Sequence, residues 1–237
     1  MAQIIHRSHE RGIAEHGWLH SRFSFSFAEY HNPERMGFGA LRVINDDVIE
    51  AGMGFGMHPH RDMEIVTIVT KGAIEHRDSQ GHHGITRAGE VQYMCAGSGI
   101  HHSEYATPQM DTELFQIWIF PDQKALPPHY EQRDFSHIAD QKGWHPLVSG
   151  DGRGNSLRIH QDAAISIARL EKGEILPLPP VPSGHGLLLF VMEGDLRVCG
   201  TTLSRRDEMQ ITEGEECSLT ASEASKVLLF DMPMRRS

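Results

Sequence analysis

No run in this sequence approaches the roughly 18 apolar residues that a membrane-crossing helix needs. The opening residues, Met1-Ala2-Gln3-Ile4-Ile5-His6-Arg7, lack the long apolar core of a signal peptide, so the expected location is the cytoplasm. Cysteine is scarce: Cys95, Cys199 and Cys217 stand far apart, with no Cys-x-x-Cys pair. That spacing argues against a disulfide framework or a zinc–thiolate site, and reads as small, half-buried apolar residues. Positive charge is also short, 22 Lys and Arg against 32 Asp and Glu, for a formal net charge of -10. So acidic a surface repels phosphate backbones and anionic lipid, which argues against direct nucleic-acid binding and a membrane role. Long helical periodicity is missing too; only residues 9–17 and 130–138 read as short helices.

Strand signals fill the rest. Phe23-Ser24-Phe25-Ser26-Phe27 alternates at period two, as a half-buried strand does. Residues 65–69, 114–120, 187–192 and 226–230 are short runs rich in branched and aromatic residues, punctuated by Gly, Pro, Asp and Asn. Many short strands separated by turn signals predict an all-β sandwich or barrel. A weak repeat divides the chain. Residues 65–94 read as apolar strand, Lys71-Gly72 turn, strand, polar loop, then Gly89-Glu90-Val91-Gln92; residues 187–211 repeat this with Glu193-Gly194 and Asp207-Glu208-Met209-Gln210. Between the copies, residues 121–155 are rich in Pro, Gly and charge. With 237 residues there is room for two domains, each burying its own core, and we place them at 1–135 and 136–237. Two self-contained domains favour a monomer.

Histidine is the unusual abundance, at 17 residues, and the question is which of them converge. In Gly52-Met-Gly-Phe-Gly-Met-His58-Pro-His60-Arg-Asp-Met-Glu64, His58, His60 and Glu64 share a face if the chain stays extended. In Gly97-Ser-Gly99-Ile-His101-His102-Ser103-Glu104, His102 and Glu104 share a face and His101 points away. Joined, the two segments offer three neutral imidazoles and one carboxylate, His58, His60, His102 and Glu104, to one divalent ion, with positions left open. Nitrogen and oxygen ligands suit Fe(II), Ni(II), Mn(II), Cu(II) or Zn(II). Met53, Phe55 and Met57 read either as the wall of an apolar pocket or as core, and Gln116, polar within a strand, reads as reaching a ligand or the cavity. His82-His83, beside Gly81 and Gly84, reads as an exposed loop.

The spacing Gly52-x5-His58-x-His60-x3-Glu64, with Gly72 following, resembles the first cupin motif, and Gly99-x2-His102 resembles the second. More specifically, His58-Pro59-His60-Arg61 with Glu64, then Glu75-His76-Arg77-Asp78-Ser79, then Ala96-Gly97-Ser98-Gly99-Ile100-x-His102-Ser103-Glu104, resemble the pirin family. The resemblance implies two cupin-type β-sandwich or jelly-roll barrels in tandem, with a few short helices. It implies one metal, Fe(II) first, held by His58, His60, His102 and Glu104, with Glu64 as a fifth ligand or a base beside the metal. Pro180 and Pro182 stand where the repeat would put His58 and His60, so the second domain is expected to bind none. Pirins resemble quercetin 2,3-dioxygenases. The implied reaction opens a flavonol ring with O2 and releases carbon monoxide, with Glu104, then Glu64, as candidate proton acceptors. The implied partners are a phenolic substrate and O2. The other reading implied by the family is a metal- or redox-responsive regulator that binds a partner protein.

Overall fold

A computed structural model describes residues 2–138, 141–213 and 216–235. Strands dominate because apolar and branched residues recur at period two or in short continuous runs. The first half builds a seven-stranded sheet in the order His129–Asp134, Glu90–Cys95, Glu64–Lys71, Thr112–Ile119, Leu41–Ile49, Leu19–Phe23, Gly12–Glu15. Facing it is a four-stranded sheet, Gly54–His60, Ile100–Ala106, Ala73–Asp78, His83–Arg87. The second half repeats the plan. Its large sheet runs Ala2–His6, Glu208–Glu213, His185–Glu193, Ser225–Pro233, Ala164–Leu170, His145–Ser149, Leu157–Arg158. Its small sheet runs Ile175–Pro177, Ser218–Ala221, Leu196–Val198, Thr201–Leu203. Two all-β barrels in tandem are thus present, and the strand Ala2–His6 sits in the sheet of the second, paired with Glu208–Glu213.

Strand alternation explains the packing. In His185–Glu193, Leu187, Leu189 and Val191 face their own barrel, with Leu196, Val198, Leu203 and Leu219. Leu188, Phe190 and Met192 face the other domain, against Phe115, Ile117, Val66 and Tyr93. A strand buried on both faces needs a continuous apolar run, which is why 187–192 has one. The two large sheets therefore pack back to back, and the domains share one core. The barrel interiors differ in chemistry. The second is filled by aliphatic side chains, whereas the first buries Ser21, Asn45, Asp47, Thr67, Gln92 and Glu104 in or against its interior, with half-buried Gln116 beside them.

Several expectations are corrected. Residues 9–17 form a 3-10 turn, Ser8–Glu10, followed by the strand Gly12–Glu15. Residues 130–138 are a strand, His129–Asp134, ending in the 3-10 turn Ser136–Ile138. Phe23 to Phe27 do not alternate: the strand stops at Phe23, and Ser24 and Ser26 are buried because each finds a polar partner, Glu208 and the Asn32 carbonyl. Cys199 and Cys217 form a disulfide across the small second sheet, their Cα atoms 5.6 Å apart, because the fold returns residue 217 beside residue 199. Cys95 is a free, buried thiol. Among the described residues no helix is long and apolar enough to cross a membrane.

Candidate metal centre

The site begins with two strands that approach unusually closely. Gly54–His60 pairs antiparallel with Ile100–Ala106, and a Cβ on Gly54 would lie 2.2 Å from the Glu104 carbonyl oxygen. Only glycine fits there. His58 is directly opposite His102, and a bulge then sets Glu104 opposite Phe55. The result is a triangle of imidazoles: ring centroids are 4.8 Å apart for His58 and His60, 4.5 Å for His58 and His102, and 4.9 Å for His60 and His102. Their ligand atoms lie within 4.8 Å of one another, and Glu104 joins through His102, with His76, in an overlapping group.

The free nitrogens point the right way. His58 Nδ1 is 2.7 Å from the Gly56 carbonyl. A carbonyl only accepts, so Nδ1 carries the proton and Nε2 keeps its lone pair. His102 Nδ1 lies 3.4 Å from His76 Nδ1, while His102 Nε2 is buried with no hydrogen-bond partner. A buried, unpartnered imidazole nitrogen beside two others is a coordination position by its chemistry. Burial, then the charges of His102 and His58, lower His60 to about 4, and burial lowers His102 to about 4 as well. Both rings are therefore neutral, as ligands must be, at ordinary pH. These residues fit a divalent ion.

Glu104 is fully enclosed. Gln92 Nε2 donates to Oε1 at 2.9 Å and Gln116 Nε2 to Oε2 at 3.0 Å, so Gln116 does reach the cavity as its position in the strand implied. Burial alone would push the Glu104 carboxyl up. His102, the Gln116 amide, His76 and the Gln92 amide outweigh it and hold the group below the usual carboxylate range. Beside His60 stands Trp118, edge-on at 4.9 Å, with Phe27 against its other side at 5.3 Å.

Behind His102 runs a chain of polar contacts not assigned from sequence. His76 Nε2 meets Asp78 Oδ2 at 3.2 Å, and His82 Nδ1 meets the same oxygen at 2.9 Å. Burial opposes ionisation of Asp78, but hydrogen bonds from His82, His76 and backbone N–H groups hold its carboxyl low. His76 stacks on Tyr130 at 4.4 Å, so the ring behind His102 is fixed from two sides. The available signal was His76-x-Asp78, two apart on a strand. His82 is thus tied into the site's support rather than a free loop residue, whereas exposed His83 pairs with half-buried Glu75. Met53 and Met57 are exposed, and Phe55 packs edge-on against Trp18 at 5.2 Å, so these three do not form one pocket wall.

Glu64 is not brought to the triangle. The strand ends at His60, Asp62 takes a positive φ of 49°, and Glu64 begins a strand of the other sheet. The shared face expected of His58, His60 and Glu64 requires an unbroken strand. Glu64 faces the second domain, where Oε2 accepts from the Tyr93 hydroxyl at 2.6 Å and from the His160 backbone N–H at 2.9 Å.

Comparison with known proteins agrees with this architecture. The Pirin family model matches residues 6–119, and the model described as quercetinase C-terminal cupin domain matches residues 146–232. A quercetin 2,3-dioxygenase of Escherichia coli is 44% identical over 97% of this chain and 98% of its own length. A putative quercetin 2,3-dioxygenase of Pseudomonas aeruginosa is 42% identical over 93% of this chain and 95% of its own. The crystal structure of the Escherichia coli bacterial pirin YhhW in complex with nickel(II) superposes with a TM-score of 0.92 at 43% identity, covering 98% of this chain and 99% of that one. Likeness at this level over nearly the whole length is likeness of family and not of fold alone, and the chain belongs to the pirin family.

Proposed function

We propose that this pirin is a metal-dependent dioxygenase that opens the ring of a quercetin-like flavonol with O2 and releases carbon monoxide. The observation that carries the reading is the imidazole triangle, with His102 Nε2 buried and unpartnered. His58, His60, His102 and Glu104 would hold the ion, with Fe(II) the first candidate. When bound, the metal supplies Lewis-acid activation of the substrate's 3-hydroxyl.

The protein's own residues do the rest. Glu104 accepts the hydroxyl proton: it is ionised, and although a carboxylate held below its usual range is a weak base, a 3-hydroxyl acidified by the metal would need only a weak one. Gln92 and Gln116 orient the carboxylate through one oxygen each. Trp118 and Phe27 give the His60 side an aromatic wall suited to a flat phenolic ring. His76 and Asp78 keep the His102 ring turned so that Nε2 faces inward.

The test is oxygen uptake with quercetin by metal-loaded protein, alongside metal analysis. Uptake should need the metal, vanish in His60→Ala, and fall about 10²–10⁴-fold in Glu104→Gln. Metal-loaded wild-type protein that consumes no oxygen with quercetin would overturn the flavonol reading.

A further inference from the structure

On the outer face of the first large sheet, turned away from the imidazole triangle, a second group of ligand types converges. Glu64 starts the strand Glu64–Lys71, and Cys95 ends the neighbouring strand directly opposite it. His160 arrives from the second domain. Its loop is pinned to the first by its backbone N–H on Glu64 Oε2, at 2.9 Å, and by its carbonyl accepting from the Asp122 N–H, at 2.7 Å. One ligand atom each from Glu64, Cys95 and His160 lie within 4.8 Å of one another.

We propose that Glu64, Cys95 and His160 form a second metal site, for a borderline divalent ion of the zinc type, on the seam between the two domains.

The cluster alone would not carry this. The second observation is Glu64 Oε1. The side chain is 0% exposed, and while Oε2 is fully used by the Tyr93 hydroxyl and the His160 N–H, Oε1 is buried with no hydrogen-bond partner. A buried carboxylate oxygen is costly to leave unpaired, and a cation is the ligand it is built to take. Cys95 faces the same carboxylate: burial, then the Glu64 charge and a thiol–carboxylate hydrogen bond, push its thiol up to about 12, and a metal would take the place of that thiol proton.

Donor chemistry selects the ion. Thiolate, imidazole and carboxylate together suit zinc or cobalt(II) better than magnesium or calcium. The thiolate and carboxylate cancel the two charges of the ion, so the buried complex is neutral. The thiol proton leaves to solvent as the metal–sulfur bond forms. Tetrahedral bonds of about 2.0–2.3 Å put ligand atoms about 3.3–3.8 Å apart, so the cluster must close by at most about 1.5 Å. His160 can supply that movement, because its side chain is 45% exposed. It opens into a cleft of ≈ 910 Å³ whose lining includes Asp122, Glu131, Asp151 and Asp162 against the single cation Arg158, a field that draws cations in. A metal here would tie residues of both domains together.

Cobalt(II) titration under non-reducing conditions tests this. Cys199 and Cys217 are joined, so a thiolate-to-cobalt charge-transfer band in the near ultraviolet reports Cys95 alone. The band should appear in wild type and persist in His58→Ala/His60→Ala, which dismantles the other centre. It should vanish in Cys95→Ser. His160→Ala, a substitution at a partly exposed residue, should weaken cobalt binding at this site at least about tenfold while the fold persists. Wild-type protein that shows no such band at saturating cobalt overturns the proposal, as does a band of unchanged affinity in His160→Ala. One cobalt per chain with the thiolate band would support this site while counting against the imidazole centre.

Discussion

Asp47 shows how one side chain can carry a pH signature. It projects into the first barrel, 4% exposed, and its carboxylate Oδ1 has the Ser21 hydroxyl at 2.5 Å. Burial pushes its carboxyl up to about 7. An unfolded aspartate titrates near 3.9, so between about pH 4 and 7 the native state binds the extra proton and stability falls as pH rises. Asp47→Asn removes the charge and keeps the shape. It should stabilise the protein by at most about 4 kcal/mol at pH 8 and by almost nothing at pH 4, as read by denaturant unfolding at the two pH values. Residues like this explain what sequence reading reached and missed. The meeting of His58, His60 and His102, with Glu104 beside His102, was legible because a local period of two put each pair on one face. Asp47, Gln92 and His76 were not, because their meaning depends on which strands face one another. Glu64 leaves the face it was expected to share with His58 and His60, because the turn over residues 61–63 breaks the period.

At the scale of elements, the turn before Ile100–Ala106 aims His102 and Glu104. Gly97 holds a φ of 46°, and a Cβ there would fall 1.9 Å from the Leu126 carbonyl. The Asp62 N–H donates to the Gly97 carbonyl at 2.9 Å, tying this turn to the one that follows His60. Gly97→Ala must therefore push away the segment at residues 126–127 and disturb both histidine-bearing strands. We expect a loss of about 1–3 kcal/mol and weaker metal retention, measured by thermal unfolding and by dialysis against a chelator. The glycines and the repeat were readable as punctuation: Gly72 and Gly194 both take positive φ at matching turns, 72° and 80°. The disulfide was not, since Cys199 and Cys217 meet only through strand pairings that no spacing announces.

Across the whole molecule the domain seam is not purely apolar. Glu208 of the second domain is 0% exposed and lies 3.0 Å from Arg35 Nη2 and 3.7 Å from Arg11 Nε, both from the first domain. Arg11 also reaches Asp46, which Arg206 meets from the other side at 2.7 Å. Removing one member of a buried ion cluster strands its partners. Glu208→Ala should cost about 3–5 kcal/mol in denaturant unfolding, more than any exposed ion pair such as Lys71 with Glu113 would.

The strand Ala2–His6 gives the chain a particular order of assembly. Its hydrogen-bonding partner, Glu208–Glu213, follows about 200 residues later. At typical synthesis rates of about 5–20 residues per second, that interval is about 10–40 s on the ribosome. Throughout it, Ile4 and Ile5 belong to a strand with no sheet to join. The first barrel can close while its N-terminal lead waits. The two domains are therefore joined late, by a strand whose partner is made about 200 residues after it, and the sheet is completed only when Ser225–Pro233 follows.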